Sequence, residues 1–122
     1  MNIESFRNFC MSMKGVTEEF PFDKNTLVFK VMGKMFALTD LEAFTSVNLK
    51  CDPEKVIELQ EQYPAVQPGY HMNKRHWITV LMDGSIPDRQ IREWIVGSYD
   101  LVVKSLTKSQ KSKLVTLSAD NQ

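Results

Sequence analysis

Apolar and polar residues recur along the chain with two different periods, and these periods predict its helices and strands. Apolar residues three or four positions apart predict helices over IESFRNFCMSMKG and CDPEKVIELQEQY. They also predict a last long helix, which follows a capping box at Ser85 and Asp88 and whose apolar face runs from Ile91 to Leu106. Alternation with a period of two predicts strands over TLVFKVM, MFALT and TSVNLKC, and a later pair over QPGYHM and HWITVLM. Residues 16–25, VTEEFPFDKN, are interpreted as a turn-rich connection, and we expect a flexible tail from about residue 109.

Two hairpins follow from the short connections between these strands. Gly33 and Lys34 are the predicted turn of the first, because glycine accepts the positive φ that a tight turn requires. Asn73, Lys74 and Arg75 are the predicted tip of the second. Hairpin connections of this kind make an antiparallel sheet.

The order helix, three strands, helix, two strands, helix predicts a two-layer α+β domain, with the helices covering one face of the antiparallel sheet. The alternation assigns Leu27, Phe29 and Val31, and likewise Val47, Leu49 and Cys51, to a single side of their strands. We expect the opposite face to be open, with Lys30, Asn48 and Lys50 on it. In HWITVLM both sides are apolar, so the pattern does not decide which side of that strand faces outward.

Composition limits the classes of protein to which the chain can belong. Its 122 residues are one ordinary domain, spanning residues 1–122. There is no apolar run of about 18 residues and no signal-peptide pattern at the start, so we expect a cytoplasmic protein that does not enter a membrane. The net charge is zero, which argues against strong electrostatic binding of nucleic acid. The charge is uneven, however: residues 1–61 hold seven basic and ten acidic side chains, and residues 62–122 hold eight and five.

The nine residues GYHMNKRHW, 69–77, contain both histidines and the densest group of polar side chains. His71 and His76, with Cys51 from another strand, have the atoms for a metal site or a nucleophile pair if the fold brings them together. A structural zinc site needs four ligands, and no established catalytic motif is present. We therefore expect no enzymatic activity, no metal and no intrinsic cofactor, and interpret both histidines as residues that close a hairpin.

Four stretches carry a family resemblance: NTLVFKVMGKMFALTDLE, SVNLKCDPE, QYPAVQPGYHMNKRHWITV and DGSIPD. Together they resemble the MmcQ/YjbR family of small bacterial proteins, from about Pro21 to Leu106. The resemblance implies a CyaY-like, or secretion-chaperone-like, fold and a "double-wing" type of DNA binding. It implies no set of catalytic residues.

Two hypotheses for function follow. In the first, a monomer binds DNA weakly through two hairpin wings. Lys34, Lys74 and Arg75 would contact phosphates and Lys30 and Lys50 would add charge, while Asn73, His76 and Trp77 would make polar or stacking contacts, with Tyr70 as a second stacking residue. In the second, the open sheet face, with Val28, Met32, Met35 and Trp77, binds a protein partner as an interaction or chaperone-like module.

Overall fold

The computed structural model describes residues 1–69 and 72–117, and within these ranges it contains a six-stranded sheet and four helices. The elements in chain order are α1 (Ile3–Met11), β1 (Val16–Glu19), β2 (Thr26–Val31), β3 (Lys34–Asp40), β4 (Ser46–Lys50), α2 (Pro53–Gln62), β5 (Val66–Pro68), β6 (Trp77–Leu81), α3 (Asp88–Ser105) and α4 (Lys108–Thr116). The strands lie in the order β1-β2-β3-β4-β6-β5, and every neighbouring pair is antiparallel. The predicted α+β class is confirmed.

One face of the sheet and the helices enclose the main core. Leu27, Phe29 and Val31 of β2 point into it, as the alternation predicts. All four helices add buried residues to the same core, among them Phe6 of α1, whose ring packs edge-on against Phe29 with 5.6 Å between centroids. Burial of each large apolar side chain stabilises the fold by about 1.5–3 kcal/mol. The strands therefore pair in the register that turns these side chains toward the helices.

Two elements differ from the sequence-based prediction. Val16–Glu19 forms strand β1 instead of the first part of a turn-rich connection, because Val16 is buried and the segment pairs with the edge of β2. Residues 108–116 form helix α4 instead of belonging to a flexible tail. The Thr107 and Gln110 side chains form a reciprocal capping box at its start, and Leu114 anchors it in the core.

The first hairpin turns one residue earlier than predicted. Val31 pairs with Lys34, so the two turn residues are Met32 and Gly33, with φ of 51° and 83°. Positive φ at both positions is the geometry of a tight hairpin turn that matches strand twist. Lys34 is therefore the first residue of β3, not part of the turn.

The two strands of the second hairpin pair with each other, as predicted, and Pro68 lies opposite Ile78. However, β5 ends at Pro68 instead of continuing through QPGYHM, so the connection is longer than the three residues predicted. It runs from residue 69 to residue 76. Within it, the Asn73 carbonyl accepts a hydrogen bond from the His76 amide at 3.1 Å, and the Asn73 side chain accepts one from the Arg75 amide at 2.9 Å. These bonds make a local turn at Asn73–His76.

The second sheet face is less open than predicted. Val28, Leu38 and Trp77 form a small buried cluster at its centre, and Met35 and Met72 pack against it. Met72 belongs to the connection between β5 and β6, so that connection covers part of the face. Lys30, Asn48 and Lys50 do lie on this side and are only partly buried.

The antiparallel order also places both hairpin tips at one end of the sheet. At that end β2 turns into β3, β4 finishes, and β6 begins. This end is called the hairpin end below. The Lys34 ammonium lies 3.4 Å from the Ser105 carbonyl oxygen, so the last turn of α3 reaches the hairpin end too.

Candidate functional site

A groove of about 780 Å³ opens at the hairpin end, between the tip of the first hairpin and the start of β6. Pairing between β3 and β4 stops at Ala37 and Leu49, and the groove lies beyond that point. The following residues line it: Pro21, Phe22, Lys30, Gly33, Lys34, Met35, Lys50, Cys51, Asp52, Pro53, His76, Trp77, Leu101, Val102 and Ser105. The end of the β3–β4 ladder is thus what makes room for a ligand.

Three lysines line the groove, and they differ in how far their charge is compensated. Lys30 forms an ion pair with Glu19 at 3.2 Å. Lys34 is near the Ser105 carbonyl at the end of α3, where the helix dipole favours a cation. The Lys50 ammonium lies 5.4 Å from the centre of the Trp77 ring, a cation–π contact. Since their partners in these contacts are neutral, Lys34 and Lys50 keep a full positive charge available to an anionic ligand.

Trp77 does not present a stacking surface. It is only 4% exposed and belongs to the buried cluster on the second sheet face. Its ring faces the Lys50 ammonium. Burial of the Trp77 side chain argues against the predicted stacking role. The second proposed stacking residue, Tyr70, lies outside the described residues.

Seven of the eight predicted site residues fall into two groups, and Asn73 belongs to neither. Lys30, Lys34, Lys50, His76 and Trp77 all line the groove. Lys74 and Arg75 instead line a second depression, of about 450 Å³, against helix α2. Asn73 is exposed, and its side-chain oxygen accepts the bond from the Arg75 amide described above.

Sequence reasoning missed Phe22, which lies in the connection between β1 and β2. Its side chain is 61% exposed, and it lines the groove together with Pro21. The available signal was an aromatic residue within a polar, turn-rich segment, FPFDKN. Periodicity could not find it, because the residue belongs to neither a helix nor a strand.

The contact between Cys51 and His76 is a hydrogen bond between their backbone groups. The Cys51 amide donates a hydrogen bond of 2.7 Å to the His76 carbonyl. Burial, with a smaller effect of the neighbouring Asp52 carboxylate, raises the pKa of the Cys51 thiol to about 11. His71 lies outside the described residues, and within residues 1–69 and 72–117 no three metal-ligating side chains are grouped to hold an ion. A thiol with this pKa is almost entirely protonated at neutral pH and is a poor nucleophile.

Both cysteines should accordingly react slowly with a thiol reagent. Burial raises the pKa of Cys10 as well, and the side chain is inaccessible in the core. We expect folded protein at pH 8 to react at least tenfold more slowly than the same protein in denaturant, with Cys51 reacting before Cys10. Absorbance with an aromatic disulfide reagent, compared with Cys51→Ser and Cys10→Ser variants, measures this. Rapid labelling of Cys51 in the folded protein would contradict it.

Within the described ranges, none of the helices has the length and apolar content needed to cross a bilayer.

Comparison with known proteins gives a consistent family and fold. The family model described as YjbR matches residues 11–101. The uncharacterized protein YbdF of Escherichia coli O157:H7 is 37% identical over 112 residues, which cover 91% of this chain and 92% of that protein. The uncharacterized protein YjbR of Escherichia coli K12 is 35% identical over 118 residues, covering 96% and 100%. The crystal structure of Deinococcus radiodurans protein DR2400, a DUF419 domain, superposes with a TM-score of 0.86 at 41% identity, covering 93% of this chain and 87% of that one.

Proposed function

This chain belongs to the YjbR family, and we propose that it is a non-enzymatic protein that binds nucleic acid weakly at the hairpin end of its sheet. The observation that carries the proposal is the groove between the hairpins, which three lysines and one acidic residue, Asp52, line. Lysine ammonium groups that can reach phosphate oxygens supply the sequence-independent part of nucleic-acid binding.

The positions of the basic side chains support this proposal better than the net charge of the chain does. Lys34 and Lys50 have the neutral partners described above, so phosphate does not have to displace a carboxylate from either. Lys30 contributes less, because the Glu19 carboxylate already pairs with it. Lys74 and Arg75 line a second depression, which shares Pro53 with the groove. A neutral protein with so local a basic site should bind with modest affinity.

The alternative, a protein partner on the open sheet face, has less apolar surface than expected. Of the four apolar residues expected to form that surface, Val28 and Trp77 are buried, Met35 is half-buried against them, and Met32 packs against the main core instead. The lysine-lined groove therefore has the stronger support.

Fluorescence anisotropy of labelled oligonucleotides, titrated with salt, tests the proposed function. Three to five phosphate contacts should give a slope of about −3 to −4.5 for the logarithm of the binding constant against the logarithm of salt concentration on duplex DNA. The first titration should be made near 20 mM salt, where the Debye length is on the order of 20 Å. Absence of binding to duplex and single-stranded DNA and RNA at that salt would overturn the proposal.

The double variant Lys34→Gln, Lys50→Gln should weaken binding and flatten the salt dependence. Loss of two phosphate contacts should reduce the magnitude of the slope by about 1.4–1.8, because each contact contributes about 0.7 on single strands and 0.9 on duplex. The same anisotropy titration measures both effects.

A matched control removes two positive charges elsewhere. Arg89 and Arg92 are exposed near the start of α3, and Arg89 is about 24 Å along the helix from Ser105 at the hairpin end. Arg89→Gln, Arg92→Gln should leave the slope unchanged. An equal loss in both double variants would mean that total charge, not the groove, governs binding. Lys74→Ala, Arg75→Ala then tests whether the second hairpin contributes its own contacts.

A further inference from the structure

Phe22 adds an exposed aromatic ring to the groove, beside the charged lysine side chains. Phe22 is one of the most exposed large apolar side chains in the described residues, at 61%, and it lines the same groove as Lys34 and Lys50. Phe20, two residues earlier, is 48% exposed but does not line the groove. An exposed aromatic ring beside ammonium groups is the combination that binds an unpaired base together with its phosphate.

The dimensions of the groove favour a single-stranded ligand over a duplex. Its volume, about 780 Å³, lies within the range of about 300–1,000 Å³ that sites for small molecules have, which is enough for one unstacked nucleotide. Lys30 and Lys50 are partly buried, so a ligand must enter the groove to reach them. A duplex keeps its bases stacked inside a rod and cannot insert one without unpairing it, which costs a few kcal/mol.

The rest of the lining suits the face of a base. Pro21, Met35, Leu101 and Val102 supply apolar atoms, and Pro21 is adjacent to Phe22 in the chain. Contacts of this kind do not depend on the hydrogen-bonding groups at the edge of a base, and every base has a π-face that can make them. They therefore give affinity without strong sequence preference.

We propose that the ligand of the groove is a single-stranded segment of nucleic acid, with one base stacked on Phe22 and the adjoining phosphates held by Lys34 and Lys50. This inference rests on the proposed function and specifies its ligand. It makes Phe22, and not Trp77, the stacking residue. It also assigns Phe22 a role distinct from that of the lysines: the ring contributes affinity that does not depend on salt.

The test compares three labelled ligands of equal length by anisotropy: a single strand, its duplex, and a single strand of abasic sites. We expect the single strand to bind at least tenfold more tightly than the duplex and the abasic strand. Phe22→Ala should weaken binding of the single strand by about five- to 150-fold, the effect of one base–aromatic stack, with an unchanged salt slope. Phe22→Tyr should retain binding, and Phe20→Ala should match the unsubstituted protein.

The outcomes separate this inference from the proposed function. Unchanged single-strand affinity in Phe22→Ala, or duplex and abasic binding as tight as that of the single strand, would overturn the stacking inference while leaving phosphate binding in place. Lack of binding to all three ligands near 20 mM salt would overturn both. Because Phe22 is largely exposed, its alanine variant should remain folded, and far-ultraviolet circular dichroism checks this.

Discussion

Trp77→Ala should lower the free energy of unfolding by about 3–5 kcal/mol, the loss typical of removing a large buried aromatic side chain. Trp77 is 4% exposed and packs with Val28 and Leu38 in the cluster on the second sheet face. Truncation leaves a cavity beneath Met35 and Met72 and also removes the cation–π contact with Lys50. A tryptophan that acted as an exposed recognition residue would cost little stability when replaced.

Denaturant unfolding measures this difference, with Trp94 remaining as the fluorescent reporter because the chain has two tryptophans. Phe22→Ala is the matched control, since it removes another aromatic ring from the lining of the same groove. We expect that variant to change the free energy of unfolding by no more than about 0.5 kcal/mol. If Trp77→Ala cost less than about 1 kcal/mol, the second cluster would not be a part of the core.

The side of a strand that enters the main core could be predicted from sequence where a polar residue marks the other side. In TLVFKV the polar Lys30 separates Phe29 from Val31, so one side is unambiguous, and the structure confirms it. In HWITVLM both sides are apolar, and the structure shows why: Ile78 and Val80 enter the main core while Trp77 enters the second cluster. A strand buried on both faces has no alternation from which to read its orientation.

The candidate site was predictable in residue type but not in arrangement. Basic residues near the two hairpins were identified from sequence, and five of the eight predicted residues share one groove. Their grouping depends on where the β3–β4 ladder ends and on the length of the connection from residue 69 to residue 76. Neither is encoded in local periodicity. Local periodicity likewise could not predict that Lys74 and Arg75 lie beside α2 or that Phe22 belongs to the site.

Gly69→Ala should destabilise the protein by about 1–3 kcal/mol, because there is no space for a side chain where the second hairpin connection begins. A Cβ at Gly69 would lie 2.8 Å from the Trp77 Cβ and 3.0 Å from the Trp77 carbonyl oxygen. Both atoms are fixed by the backbone of β6, so rotation of a side chain cannot relieve the contact. The backbone at Trp77 would have to move, and since Trp77 and Lys50 are paired across β6 and β4, the groove would change shape with it.

Gly97→Ala is the matched control, since it adds the same methyl group where the structure has room. Apart from its chain neighbours and the adjacent helix backbone, no atom lies within 4 Å of a Cβ built at Gly97, which is inside helix α3. Alanine there should stabilise the protein by about 0.5–1 kcal/mol, because glycine loses more conformational freedom in a helix. Thermal or denaturant unfolding of the two variants should therefore give shifts of opposite sign. If Gly69→Ala were as stable as Gly97→Ala, the close approach of residue 69 to Trp77 would not constrain the hairpin end, and the groove would not depend on it.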